Sequence, residues 1–198
     1  MLKRIRLLLW IVVGLAALGG IYLALRPPAP RLESRETPLA TIGGPFTLTG
    51  ADGRPFASGR LQGKPAAIFF GFTHCPDVCP TTLARLAKLR RELGKGDDAF
   101  HIVFISVDPE RDKPADVGGY TGLFGTPVIG LTGSAAQIEK VKHQFGVYSA
   151  KAPQPGGGYS VDHTATVFLV DRDGKFVSTL AHEEGDAVAI DKLRRIIS

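Results

Sequence analysis

Residues 66–93 read AAIFFGFTHCPDVCPTTLARLAKLRREL, and HIVFISV follows at residues 101–107. Residues 66–72 are continuously apolar and rich in phenylalanine, as a strand buried on both faces must be. From Thr81 onward the period changes, and Leu83, Leu86, Leu89 and Leu93 fall on one side of a helix. Residues 101–107 form a second buried strand. Strand, helix and strand in that order make a βαβ unit, which pairs its strands in parallel through a right-handed crossover.

The rest of the domain builds outward from this unit. Upstream, residues 46–49 and Phe56 flank Asp52-Gly53 as a hairpin. Downstream, residues 127–131 predict a strand, and SAAQIEKVKHQF a helix capped by Ser134 and stopped by Gly146. Residues 164–170 and 175–180 flank Asp173-Gly174 as a second hairpin, and residues 186–197 predict a final helix that buries Ile190, Leu193 and Ile197. GGYTGLFG from Gly118 is too rich in glycine to be assigned to a helix, and APQPGGGYSVD before His163 reads as flexible. The order β-α-β, α, β-β-α predicts an α/β fold over residues 41–198: a thioredoxin-like mixed sheet with flanking helices.

Of the chain's 198 residues, 24 are Lys or Arg and 19 Asp or Glu, a net charge of +5. Residues 1–36 hold six basic and two acidic side chains, leaving 18 basic against 17 acidic for the remainder. The domain is nearly neutral, which excludes a nucleic-acid surface. The basic N-terminus instead brackets nineteen uncharged residues, Leu7 to Leu25, with Lys3, Arg4 and Arg6 before them and Arg26 after. As a helix this run is about 28 Å long, close to the thickness of a bilayer's hydrocarbon core. It predicts one transmembrane helix at 7–25, with residues 1–6 cytoplasmic and the domain across the membrane. A cleaved signal peptide is the alternative, but its apolar region would be unusually long. Residues 26–40 are proline-rich and polar, a stiff spacer.

Cys75 and Cys79 are the chain's two cysteines, which excludes a disulfide-dense scaffold and a four-cysteine zinc site. They follow the first buried strand and open the helix, where open α/β sheets place ligand sites and a helix N-terminus favours thiolate over thiol. Both sulfurs should therefore be accessible and ionisable. Three intervening residues set them one helical turn apart, so they can share one bound atom, and Pro80 fits the first helical position. A simple disulfide is the plain alternative. Of the five histidines, His101, His143 and His182 sit at element ends with capping or surface explanations, and His74 adjoins Cys75 in a place suited to tuning its thiolate. His163 precedes the strand at 164–170, and in a thioredoxin-like fold that loop faces the cysteines. Two thiolates and an imidazole fall short of closed tetrahedral zinc; soft sulfur suits Cu(I), and imidazole with an added oxygen accommodates Cu(II). Asp77 is a candidate weak oxygen ligand. Asp108 and Asp112 lie after the second parallel strand, at the same end of the sheet as the cysteines, where turn capping also explains them.

At these residues the chain resembles the SCO/SenC family of membrane-anchored, thioredoxin-fold copper proteins that assist cytochrome c oxidase assembly. The resemblance runs through GFTHCPDVCP from Gly71, ISVDPERD from Ile105 and VDHTATVFLVDRDG from Val161. It implies that Cys75, Cys79 and His163 bind one copper ion, and that the domain delivers copper to, or prepares, the dinuclear copper site of oxidase subunit II. It further implies a bacterial inner-membrane protein with a periplasmic domain, served by a periplasmic copper donor or thiol reductant. Asp108 and Asp112 match the family's paired acidic motif, and the glycines at 118, 119 and 122 depart from the family's helix. The competing function is a thiol-disulfide oxidoreductase that reduces the acceptor's cysteines through the pair Cys75 and Cys79. The usual dithiol spacing is two residues, not three, and no proline immediately precedes residue 164. A peroxidase of related fold needs a threonine or serine three residues before its reactive cysteine, where Phe72 and Pro76 stand.

Overall fold

A computed structural model describes residues 42–198. The expected cytoplasmic N-terminus at 1–6, the span at 7–25 and the spacer at 26–40 all lie outside the described residues. Among the described residues no helix is long and apolar enough to cross a membrane.

The first element among the described residues is the hairpin of β1 (Thr47–Gly50) and β2 (Pro55–Ala57), which turns through Asp52-Gly53. Next come β3 (Ala66–Gly71), α1 (Val78–Glu92) and β4 (His101–Ser106), the βαβ unit that the sequence predicts. They are followed by α2 (Pro114–Thr121), β5 (Val128–Thr132) and α3 (Ala135–Phe145). The chain closes with β6 (Ser149–Pro153), β7 (Tyr159–His163), β8 (Val167–Val170), β9 (Phe176–Leu180) and α4 (Asp186–Ile197). Among the described residues seven strands form one sheet in the order β2-β1-β5-β4-β3-β8-β9, while β6 and β7 pair only with each other. At its centre β3, β4 and β5 run parallel, with β1 and β8 antiparallel on either side. This is the mixed sheet with flanking helices expected of a thioredoxin-like fold.

Strand β3 is buried at every position, and Phe69, Phe70, Phe100 and Phe104 lie fully inside the core beside Leu83, Leu86 and Leu89 of α1. Ser134 caps α3 by accepting from the Gln137 N–H at 3.3 Å, and Gly146 ends it in the left-handed region at φ 66°. On the far side of α1, Arg85 and Lys88 each reach a carboxylate oxygen of Asp186 at 2.8 Å and fasten α4 to it. Lys88 and then Arg85 hold the Asp186 carboxyl below its ordinary value of 3.8. A carboxylate with a depressed folded-state pKa contributes in full above the unfolded value and loses its contribution as pH falls through the folded one. Asp186→Asn should therefore lower the urea midpoint at neutral pH, and the gap from wild type should close as the pH is lowered below that ordinary value and through the depressed one. A gap that stays constant with pH would show that the carboxylate's charge is irrelevant.

Four sequence expectations are corrected. Residues 114–121 are helical despite Gly118 and Gly119, and at Gly118 the helix lies so close to its neighbours that glycine is what fits. A Cβ at Gly130 of β5 would stand 2.6 Å from Val117 Cγ1, and one at Gly118 would stand 3.1 Å from the Ala51 methyl. Close packing overrides the roughly 1 kcal/mol that each glycine costs a helix. The stretch APQPGGGYSVD is not a loose linker but most of a hairpin, with Gly156, Gly157 and Gly158 at positive φ in its turn. Of the residues in its two strands only Val161 is buried, so no apolar run announces it. The next strand begins at Val167 rather than 164, because the Thr164 N–H returns to the Tyr148 carbonyl at 3.0 Å and extends the hairpin instead. In α4 the buried stripe is Ala189, Leu193, Ile196 and Ile197, with Ile190 only partly covered.

Candidate metal centre

The site forms where β3 gives way to α1. Beyond Gly71 the chain runs through a loop to Asp77, and the helix then starts at Val78. A Cβ on Gly71 would lie 2.7 Å from Cys79 Sγ and 3.0 Å from the Phe104 ring, so the sulfur rests directly on the strand's backbone. The Cys79 N–H points at Cys75 Sγ, 3.4 Å away, in the turn-like arrangement that the spacing requires. Both cysteines are free thiols; Cys75 is half-buried and Cys79 is 0% exposed. The expectation of two accessible, ionisable sulfurs is thus corrected. Burial pushes the Cys79 thiol far above its ordinary value. Pro80 is the third helical residue, not the first, where its missing N–H is still among the four a helix leaves unpaired.

His163, the last residue of β7, crosses 84 positions of sequence to place Nε2 3.4 Å from Cys79 Sγ. Its Nδ1 is 3.1 Å from the Thr164 carbonyl, which can only accept, so Nδ1 carries the proton and the Nε2 lone pair faces the sulfurs. The rings of Phe69 and Phe72 meet the imidazole edge-on at 6.0 and 5.8 Å. Burial among them lowers the His163 pKa and keeps the ring neutral. One donor atom from each of Cys75, Cys79 and His163 lies within 4.8 Å of the other two. Two sulfurs and a neutral imidazole in an apolar cup fit copper: the soft pair suits Cu(I), and the nitrogen accommodates Cu(II).

The other candidates stand outside this triad. His74 is exposed, 3.0 Å from Thr73 Oγ1 and 3.4 Å from Asp112 Oδ1. Asp77 is exposed at the start of α1, where its carbonyl accepts from Thr81. His101 begins β4, at the end of that strand away from the cysteines, His143 lies in the last turn of α3, and His182 is 3.4 Å from Thr82 Oγ1.

Asp108 and Asp112 are buried, at 2% and 0% exposure, and they brace the site without belonging to it. Asp112 accepts from the Thr73 N–H at 2.8 Å, the Thr73 hydroxyl at 2.6 Å and the Ser106 hydroxyl at 2.6 Å, so it holds the cysteine loop to the end of β4. Asp108 accepts from Arg111 Nε at 2.5 Å and the Tyr159 hydroxyl at 2.9 Å. Turn capping is therefore the smaller part of what this pair does. Thr73, Arg111 and Tyr159 are the residues that sequence reasoning missed. Tyr159 stands four positions before His163 on the same strand, a signal that becomes legible once the hairpin is recognised.

The SCO1/SenC family profile matches residues 34–198. The chain belongs to the SCO1/SenC family. Among SCO relatives, the mitochondrial protein SCO2 of Saccharomyces cerevisiae is 36% identical over 192 residues, covering 90% of this chain and 63% of the yeast protein. The chain thus spans less than two thirds of that relative's length. The copper-bound structure of Bradyrhizobium japonicum ScoI superposes with a TM-score of 0.71 at 46% identity, covering 78% of this chain and 99% of ScoI. BsSco, a member of the Sco family of cytochrome c oxidase assembly proteins in which a disulfide switch is identified, aligns at 27% identity with a TM-score of 0.61. That alignment covers 82% of this chain and 97% of BsSco. The SCO fold in this chain delivers Cys75, Cys79 and His163 to one point from a loop, a helix start and a hairpin.

Proposed function

We propose that the chain is a copper chaperone, which binds one copper ion through Cys75, Cys79 and His163 and delivers it to, or prepares, the dinuclear copper site of cytochrome c oxidase subunit II. The observation that carries this reading is the convergence of the three donor atoms within 4.8 Å, with the imidazole lone pair turned toward the sulfurs. Copper-bound ScoI supports the choice of metal, and the assembly role stated for the Sco family supports the acceptor. The uncharged run from Leu7 to Leu25 supports a single anchor in the bacterial inner membrane, with the domain in the periplasm beside its acceptor and its copper donor or thiol reductant.

Holding the ion divides into separable tasks. Cys75 and Cys79 supply thiolates, and the half-exposed Cys75 is the one that an acceptor sulfur can approach first. His163 supplies a neutral nitrogen that adds affinity chiefly for Cu(II). Phe69 and Phe72 shield the ring. His163→Ala should weaken Cu(II) binding by about 100-fold while changing Cu(I) binding much less, as read by titration of the full-length chain against competing chelators. A variant that binds Cu(II) as tightly as wild type would remove His163 from the site.

The uneven cysteine pair, one half-buried and one fully buried, also supports dithiol exchange, with Cys75 attacking and Cys79 resolving. Reduction of an oxidised subunit II fragment, assayed with and without copper, separates the two functions: reduction without the metal favours the oxidoreductase, and none without it favours the chaperone.

A further inference from the structure

The hairpin that carries His163 shares no backbone ladder with the seven-stranded sheet. Val161 anchors it in the core, but an apolar contact sets no direction. Direction comes from the loop between β4 and α2. Arg111 donates from Nε to Asp108 Oδ2 at 2.5 Å and from Nη1 to the Tyr159 carbonyl at 2.8 Å. Its guanidinium carbon stands 3.9 Å from the centre of the Tyr159 ring and 5.7 Å from that of Phe72, which in turn meets His163. The Tyr159 hydroxyl closes the figure by donating to Asp108 Oδ1 at 2.9 Å. On the outer side, Lys151 of β6 lies 4.6 Å from the Tyr159 ring centre and pairs with Glu110 at 2.5 Å. The same short loop therefore grips both halves of the centre: Asp112 holds the cysteine side through Thr73, and Asp108 with Arg111 holds the histidine side through Tyr159.

We infer that Arg111 and Tyr159 are positioning residues for His163, a clamp that sets the imidazole's place over the two sulfurs and so tunes the centre for Cu(II) relative to Cu(I). Neither residue touches the ion. The inference rests on the copper reading above and adds to it which oxidation state the clamp governs. Arginine suits the task because its planar fork reaches a carboxylate and a carbonyl at once while lying flat on aromatic rings, which a lysine ammonium cannot do.

The test uses the full-length chain, titrated with Cu(II) in air-stable buffer and with Cu(I) anaerobically, each against a competing chelator. Arg111→Lys is expected to weaken Cu(II) binding about tenfold and to leave Cu(I) within about twofold, the size of effect that outer residues exert on a metal site. In a His163→Ala background, Arg111→Lys should change Cu(II) binding by less than about twofold, because the ligand it positions is gone. Equal losses in both backgrounds, or for both oxidation states, would make Arg111 merely structural and overturn the inference. Tyr159→Phe keeps the ring and the carbonyl and loses only the hydroxyl, and should weaken Cu(II) about threefold with the same dependence on His163. In metal-free protein, the contact between the Phe72 and His163 rings should weaken in Arg111→Lys by solution NMR, and an unchanged contact counts against the clamp. A wild type that takes up no copper would overturn the copper reading and the inference together, and is distinct from a wild type that binds while the clamp variants match it.

Discussion

A chain in which Cys75 and Cys79 are both alanine is expected to take up no copper under conditions that load the wild type. The two sulfurs are two of three donors, and they are the soft ones that hold Cu(I). Alanine is a better replacement than serine at position 79. A hydroxyl there would be buried without an assured partner, at a cost of about 1–3 kcal/mol, whereas alanine leaves only a small void. Loss of binding with the circular dichroism and urea midpoint near their wild-type values would place the metal on the sulfurs. Copper uptake equal to wild type would sink the assignment, because His163 with exposed carboxylates cannot supply a comparable soft site.

The second large effect comes from a residue with no side chain. Gly71→Ala would put a methyl carbon 2.7 Å from Cys79 Sγ, 3.0 Å from the Phe104 ring and 3.2 Å from the Phe69 ring. All three neighbours are 0% exposed, and none can retreat toward solvent. Overpacking of this kind costs roughly 1–3 kcal/mol, and the sulfur is the atom that must move. Gly71→Ala should therefore lower the urea midpoint and weaken copper binding together. Adding Cys79→Ala removes the nearest clash, so the double variant should regain part of the lost stability and none of the binding. If Gly71→Ala binds copper like wild type, the sulfur's seat on the strand does not define the site.

The sequence carried the core of the fold plainly. The phenylalanine-rich run, the helical leucine stripe from Leu83 and the short apolar run at His101 read together as strand, helix and strand, and they place the cysteines at a strand's carboxyl end. Where the sequence misled, the cause was a contact rather than a propensity. Gly118 looks like a helix breaker when read singly, yet it and Gly130 are the two surfaces that let α2 settle beside β5 and Ala51. The hairpin at 149–163 was hidden because Val161 is the only fully buried residue of its two strands. The triad was legible from residue type and fold, but the burial of Cys79 was not, since a motif's spacing says nothing about what covers it. The acidic pair was visible as a motif, and its work was not. Asp112 meets Thr73 across 39 positions and Asp108 meets Tyr159 across 51, separations that no local pattern encodes.

The separate two-stranded ladder bears on how fast the ion can leave. Its backbone bonds are independent of the central sheet, so the amides of β6 and β7 should exchange with deuterium through a local opening far cheaper than global unfolding, while those of β3 and β4 wait for the whole domain. Each such opening would lift the imidazole away and leave a bound ion on two sulfurs. For Cu(II), which gains most from the imidazole, release would then follow a fluctuation of some fifteen residues instead of the stability of the protein. A carrier built this way can be both durable and quick to unload.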